Sequence, residues 1–458
     1  MNDDAWAALR EGYTDPIRDV LWGHIYLTPA LAALTKSVPF MRLGRIYQLG
    51  PAFAVYPGAT HTRASHSIGV YHLARRLLHN LAERGADAWL SAAGVRSFLC
   101  AGLLHDLGHF PYTHSLKELP LRSHEELTAS LILTEPLKSL VGAAGADPYL
   151  TAAIVDTRLS GSSCGESPGI SAGPQSDGEL LFYQKLLSGC LDPDKLDYLN
   201  RDARYCGVPY GAQDVDFIFS RLHPHKERGI DIDTRGIPSV ESLLFSKYLM
   251  YRTVYWHRTV RSATSMIKKA LLGGLADGAI HTEELYGLDD QGLFSLMTSR
   301  DHPLFHLAEQ VKNGKFYTAV AEFPFDDAVH RDLTDIANRP RYEEALAAEL
   351  SKAMPAMSGA IPPEDLIIDV PEPIIFETDM HVLDGDAGNG DGSLSAEGAS
   401  YFTEGSGALK ADAVQGFIRS LRVIRIYVDP VHEKAVKAIS NLRDILNVRR
   451  DWLRLMAG

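Results

Sequence analysis

The sequence predicts a mainly α-helical protein with a smaller α+β portion towards its C-terminal end. Three observations predict it. Apolar residues recur at spacings of three and four through most of the chain up to residue 353. Helix caps punctuate that pattern, and after about residue 360 short alternating runs replace it. With 458 residues, one core does not suffice, so a large domain over 1–330 and a smaller region over 331–458 are expected.

Taken in order, residues 15–35 and 66–160 read mostly as helix. Between Ala64 and Arg84, the residues His66, Val70, Leu73, Leu77 and Leu81 fall on a single stripe, which places His66 at the start of a buried face. Phe98 to His109 is apolar nearly all round, the pattern of a central helix. Residues 160–178 are rich in Gly, Ser and Pro and predict a surface loop. A helix follows over Glu179–Cys190, and Asp192 then caps a new one whose first position is Pro193. Helical spacing continues through 239–277, 303–321 and 341–353. Leu366–Val370, Ile374–Thr378 and Arg422–Val428 predict strands, and His432–Leu446 a final helix. The Gly-, Ser- and Asp-rich run within 383–408 predicts a loop, because its oxygen ligands miss the EF-hand positions.

Composition narrows the function. Hydrophobic residues make up 45% and charged residues 22%, the balance of an ordinary globular chain. The four cysteines show no paired spacing, which fits a reducing compartment and argues against a disulfide framework. There is no basic N-terminal leader and no apolar run long enough to cross a bilayer, so a cytoplasmic location without membrane association is expected. Net charge is −13, from 45 Lys+Arg against 58 Asp+Glu. Such a surface draws no counterion-release attraction to nucleic acid, so strong nucleic-acid binding is not expected. Any phosphate chemistry must rest on a metal and a few local cations.

The segment that carries chemistry is Ala101-Gly-Leu-Leu-His105-Asp106-Leu-Gly-His109-Phe-Pro-Tyr-Thr-His114. An adjacent imidazole and carboxylate in an apolar helix are costly to bury unless paired or bound to a metal. With 18 histidines in the chain, one such dipeptide is expected by chance, so the cluster and not the dyad is the signal. His109 lies one turn beyond His105, and the break at Phe-Pro turns His114 back towards it. His66, heading its buried stripe, and Asp194, opening the helix after Asp192, are the further candidate ligands. Two histidines and two aspartates mix nitrogen and oxygen donors, which suits manganese, iron, zinc, nickel or magnesium. On the helix from Asp194, Tyr198 and Arg201 or Asp202 recur on the ligand's face and add an aromatic, a cation and a carboxylate. Read alone, that face is better taken as a solvated charged surface with internal ion pairs.

The ordered set of motifs resembles the HD-domain deoxynucleoside triphosphate triphosphohydrolases, the dGTPase-like group that includes the vertebrate enzyme with a sterile-alpha-motif domain. Asp15-Pro-Ile, Gly23-His-Ile-Tyr-Leu, Arg45-Ile-Tyr-Gln48-Leu49-Gly50, Pro57-Gly-Ala-Thr-His61-Thr-Arg63-Ala-Ser-His66, His105-Asp106-Leu-Gly-His109, His124-Glu125 and Asp194-Lys195-Leu-Asp-Tyr198 fall in the family's order. The resemblance implies an HD helical core that hydrolyses a dNTP to deoxynucleoside and inorganic triphosphate, and that assembles as a homo-oligomer. It implies that His66, His105, Asp106 and Asp194 hold a divalent metal. It places His109, His114 and His124 at the phosphates, with His114 as proton donor to the departing 5′-oxygen. Arg63, Lys195 and Lys247 would neutralise phosphate charge, Gln48 and Asp202 would read the sugar 3′-hydroxyl, Tyr198 would crowd the 2′ position, and Tyr255 would pack on the base.

The chain also departs from the family pattern. Lys117 stands where an acidic residue commonly orients the catalytic histidine, which leaves Glu118 as the expected substitute. Lys36, Met41 and Gly44 replace the side chains that read guanine in the regulated vertebrate enzyme, so activation of that type is not expected, nor is a preceding sterile-alpha-motif domain. Two other readings share the constellation. One is a nucleoside 5′-monophosphatase or phosphodiesterase on the same HD scaffold; the other is a non-catalytic nucleotide-binding regulator.

Overall fold

The computed structural model describes residues 3–161, 174–354, 359–383, 400–442 and 445. Most of residues 160–178 and 383–408, both expected as loops, lie outside them. Where they are described, helix begins already at Pro174, a residue suited to a first helical turn, and the later segment ends in strand Ser400–Tyr401 and helix Phe402–Gly405.

The helical core is built around α1 (Arg63–Glu83) and α2 (Ala92–Leu104). The predicted stripe on α1 is buried, with Val70, Leu73, Leu77 and Leu81 fully enclosed. Helix α2 is buried on nearly every side, as its composition predicts, and stops at Leu104 so that His105 and Asp106 leave it on a tight loop. Around this pair lie α3 (His124–Ile132), α4 (Pro148–Val155), α5 (Pro174–Ser188) and α6 (Pro193–Cys206). Asp192 caps α6 as expected, accepting from the Lys195 backbone N–H at 2.6 Å. Helix α7 (Ile237–Met250) runs through a π-helical turn at Tyr251–Tyr255 towards α8 (Arg258–Ala276). Among the described residues, no helix is long and apolar enough to cross a membrane.

Helix was the wrong expectation for the first part of 15–35. Strands β1 (Asp15–Asp19) and β2 (Gly23–Leu27) form an antiparallel hairpin before the helix Pro29–Thr35. Turn chemistry decides it: the Asp19 carboxylate accepts from the Leu21 and Trp22 N–H groups at 2.8 and 3.0 Å, and Gly23 takes a φ of 74°. Ile25 and Leu27 then alternate inwards.

Strands β3 (Leu222–His225), β4 (Gly229–Asp233), β7 (His381–Leu383) and β8 (Ser400–Tyr401) make one small sheet. Another joins β5 (Thr318–Pro324), β9 (Val423–Val428) and β6 (Leu366–Asp369) in that antiparallel order, with α9 (Arg339–Ala353) on its apolar face. β5 replaces the end of the helix expected over 303–321. Gly314, with a φ of 69°, closes the helix His306–Lys312, and the alternating residues that follow pair with β9. Residues 374–378 take no regular secondary structure and pair with no strand among the described residues. They lie against α7, where the Lys247 ammonium donates to the Ile375 carbonyl at 2.7 Å in place of a ladder partner. The helix expected over His432–Leu446 is interrupted: Pro430–Lys437 is helical, 438–441 is not, residues 442 and 445 are helical again, and 443, 444 and 446 lie outside the described residues.

One close approach fixes how α1 meets α6. A Cβ on Gly69 would lie 1.9 Å from Asp197 Oδ1 and 2.4 Å from an Arg201 guanidinium nitrogen. Gly69→Ala is expected to destabilise the fold by about 3 kcal/mol through overpacking and a disturbed buried ion pair. Gly142→Ala, at a helical position with nothing within 4 Å, should instead stabilise it by about 0.5–1 kcal/mol. Denaturant unfolding of both variants measures the contrast.

Candidate metal centre and its surroundings

Thr62 caps α1, so Arg63 sits in its first turn and His66 one turn further along the buried side. His66 Nδ1 lies 2.9 Å from Asp197 Oδ2, while Nε2 lies 2.9 Å from Asp194 Oδ1. Asp197 also accepts from Trp22 Nε1 at 2.6 Å and from Arg201 at 2.8 and 2.9 Å. Trp22 comes from the hairpin turn, and Asp19 of the same turn binds Arg201 at 2.9 Å.

His105 points its Nδ1 at the Gly102 carbonyl, 3.0 Å away, which makes that nitrogen the donor. Its Nε2 is buried without a hydrogen-bond partner and faces Asp106 Oδ1 at 3.3 Å and Asp194 Oδ1 at 3.7 Å. The loop bearing it is held by Thr128, whose hydroxyl donates to the His105 carbonyl and accepts from the Gly108 N–H. Only glycine fits at 108, since a Cβ there would lie 2.1 Å from the His124 carbonyl oxygen. Arg42 adds hydrogen bonds to the His109 and Leu288 carbonyls at 2.6 and 2.9 Å.

One nitrogen each of His66 and His105 and one oxygen of Asp194 lie within 4.8 Å of one another. Asp106 flanks this group, with its second oxygen taken by Arg63 at 2.9 Å. Two imidazoles oriented by outer hydrogen bonds, an orphaned Nε2 and two carboxylates match the donor set of a divalent cation. Burial alone would lower the His66 pKa, but its hydrogen bonds to the Asp194 and Asp197 carboxylates push it up to about 10. Burial would raise Asp194, and His105 and His66 hold it well below the usual carboxylate range.

Beside this group stand His109, His114 and His124. His109 Nε2 and His114 Nε2 are 3.1 Å apart, and the rings of His109 and His124 lie 3.9 Å centre to centre. Burial first, and then the Arg63 charge, lower His109 and His114 well below 6.5, although part of His114 is exposed. Burial likewise takes His124 to about 4 in spite of Glu125. Glu118 does not orient His114. Its carboxylate is held by Lys268 and Arg339, so His109 is the neighbour that fixes the ring.

A further flank of the site is built from α6 and the π-helical turn. The Tyr255 hydroxyl donates to Asp202 Oδ2 at 2.6 Å, and the Tyr198 and Tyr255 rings meet edge to face at 6.5 Å. Gln48 Oε1 is buried with no partner. Arg201 is no free cation, because Asp197 and Asp19 occupy it, so the face shared with Asp194 and Tyr198 belongs to Asp202 alone. Lys195 and Lys247 are paired as well. Lys195 Nζ donates to Asp192 at 2.6 Å and lies 3.6 Å from Glu377, while Lys247 Nζ donates to Glu377 at 2.7 Å. Sequence reasoning missed Glu377, Asp197, His61 and Trp22. Asp197, one turn from Asp194 on a capped helix, carried the only signal of proximity.

Residues 63–146 match the HD domain, and residues 214–388 match the HD-associated region. The chain is an HD-domain protein in which the associated region follows the HD domain. It is 34% identical over 239 residues to the uncharacterized protein YwfO of Bacillus subtilis, covering 51% of this chain and 49% of that one. It is 29% identical over 276 residues to the deoxynucleoside triphosphate triphosphohydrolase SAMHD1 of Homo sapiens, covering 56% and 44%. The chain thus spans about half the length of these curated relatives. Its fold is shared by a hypothetical protein from Aquifex aeolicus, with a TM-score of 0.66 at 24% identity over 93% of this chain and 99% of that one. A phosphohydrolase from Bacteroides thetaiotaomicron gives 0.66 at 22% identity, over 91% and 100%.

Two outcomes follow from the site. Elemental analysis of the purified chain should find about one divalent ion per chain, lost in His66→Ala and in Asp194→Ala while circular dichroism stays unchanged. The second concerns acid. His72, ring-stacked with Trp22, is held to about 4 by burial and by Arg76, against an ordinary 6.5. Between those values the unfolded chain binds more protons than the folded one, so stability falls as pH drops from 6.5 to 4. Urea midpoints measured across that window should show a slope reduced by about one proton in His72→Gln.

Proposed function

We propose that this chain is a divalent-metal-dependent phosphohydrolase that cleaves deoxynucleoside triphosphates to deoxynucleoside and inorganic triphosphate. The observation that carries the reading is the meeting of His66, His105 and Asp194, beside Asp106, with a cluster of three further histidines. SAMHD1, which matches this chain over 56% of its length, is named for that activity. Assembly as a homo-oligomer belongs to the same reading.

His66, His105, Asp106 and Asp194 would hold the cation. Bound there, it would supply Lewis-acid polarisation of a phosphoryl oxygen and a more acidic water. Arg63, fixed by Asp106 at 2.9 Å, would offset negative charge from the phosphate side; its Nε is buried without a partner. His114 would protonate the departing 5′-oxygen. It is neutral in the free site, and the negative charge of a bound triphosphate would raise its pKa, so the proton is loaded as substrate arrives. His109 would hold the His114 ring in place through the 3.1 Å contact between their Nε2 atoms. Tyr198 would crowd the 2′ position, Tyr255 would pack on the base, and Gln48 and Asp202 would bind the 3′-hydroxyl.

One observation favours a second reading. Glu377 sits against both Lys195 and Lys247, which reduces the free positive charge left for a triphosphate. A nucleoside 5′-monophosphatase or phosphodiesterase would demand less. Products separate the two readings. With manganese and a dNTP panel, the purified chain should release inorganic triphosphate, and Tyr198→Ala should raise ribonucleotide cleavage on the order of tenfold relative to wild type. Release of orthophosphate alone, or of nothing, refutes the triphosphohydrolase reading.

A further inference from the structure

His61 has no part in the metal centre, and yet it is buried and tied to the substrate side. The backbone around it forms a short antiparallel ribbon. Tyr47 bridges Thr62, the Gln48 N–H donates to the His61 carbonyl at 3.0 Å, and the Arg63 N–H donates to the Ile46 carbonyl at 3.0 Å. Opposite residues on such a ribbon share a face, and successive pairs alternate. Gln48 with His61, and Ile46 with Arg63, therefore face one way, while Tyr47 and Thr62 face the other. Burial agrees, because Ile46, His61 and Arg63 are enclosed and Tyr47 is exposed.

The inward face has two ends. At one, Arg63 grips Asp106 at 2.9 Å. At the other, His61 Nε2 lies 2.8 Å from Asp202 Oδ1, and the imidazole is laid against the Tyr205 ring at 4.6 Å. Tyr255 takes the second Asp202 oxygen. Asp202 is buried, and among the described residues these two are its hydrogen-bond partners. A carboxylate offers about four lone-pair sites, so half its capacity remains for a ligand donor. Gln48, directly across the ribbon from His61, adds a buried amide oxygen with no partner. A ligand hydroxyl can donate its proton to the open Asp202 carboxylate and accept from the Gln48 amide nitrogen, which brings a donor to each side of the pair.

We propose that His61 is a positioning residue that locks the Asp202 carboxylate at a fixed reach from the Arg63–Asp106 end and so sets the preference for a nucleotide carrying a 3′-hydroxyl. The inference rests on the nucleotide reading above. The ribbon acts as a spacer, because His61 and Arg63 stand two residues apart on one strand whose conformation its backbone hydrogen bonds to Gln48 and Ile46 hold.

The test compares kcat and KM for a dNTP and its 2′,3′-dideoxy counterpart in wild type, His61→Leu and His61→Gln. Wild type should favour the 3′-hydroxyl substrate. His61→Leu should raise KM for that substrate on the order of tenfold and leave the dideoxy KM within about twofold, which collapses the preference. His61→Gln, whose amide nitrogen reaches the place of Nε2, should restore it. Should His61→Leu fail to fold, His61→Gln and His61→Asn decide, the first keeping the preference and the second, matching Nδ1, losing it. A preference unchanged in His61→Leu, or a wild type with no preference at all, overturns the role of His61 and leaves triphosphohydrolase activity standing. Equal losses on both substrates overturn it too, since they mark a merely structural residue. A wild type that cleaves no nucleoside triphosphate removes the nucleotide reading and this inference together.

Discussion

The carboxylate of Asp197 is fully buried, and the arrangement of the site depends on how its charge is met. Four N–H contacts reach it, from Trp22 on the hairpin turn, His66 on α1 and Arg201 one turn further along α6. An unpaired ion in that position would cost several kcal/mol, so the three elements are satisfied only when docked together. Burial alone would raise the Asp197 pKa, but the charge of Arg201 and the hydrogen bond from His66 hold it below the ordinary value. Gly69 is the steric condition for this docking, since any side chain there would occupy the space of the carboxylate. The orientation of His66 is a consequence. With Nδ1 committed to Asp197, its Nε2 can only face Asp194 and the centre of the site.

The C-terminal region supports the same site from the other side. Glu118, close in sequence to His114, is held by Lys268 and Arg339; Lys268 also binds Glu372, and Arg261 joins Glu372 to Asp369 on β6. The segment after β6 then carries Glu377 to Lys195 and Lys247. Buried ion pairs of this kind add little net stability compared with apolar packing, but removing one partner strands the others. They therefore fix geometry: the loop of His114 is referenced to Arg339 on α9 and, through Lys268 and Glu372, to the segment after β6, while Lys195 and Lys247 are referenced to Glu377 on that same segment.

Much of this was legible in the sequence where local chemistry decides. The stripe of α1 came from 3.6-residue spacing, the start of α6 from Asp192 and Pro193, and the central helix α2 from its apolar composition. His66 and Asp194 were legible as polar groups at the starts of helices and His105 as an imidazole in an apolar helix, and the structure brings the three together. The hairpin at 15–27 was misread because its apolar spacing suits a helix while Asp19 and Gly23 dictate a turn. The apolar run at 374–378 has the composition of a strand but meets a lysine where a strand would need a neighbour.

The sequence by itself determined where the central helices lie, which of their faces are apolar, and which imidazoles and carboxylates must find partners, because these follow from spacing, capping and the cost of burial. Tertiary structure alone decided which partner each one found. Arg201, Lys195, Lys247 and Glu118 all look like free charges along the chain, and each is committed to a residue far off in sequence or one turn away. The strength of a charge contact depends on a few ångströms and on the exclusion of water. Neither quantity is written in local sequence, and both are set when distant elements close over one another.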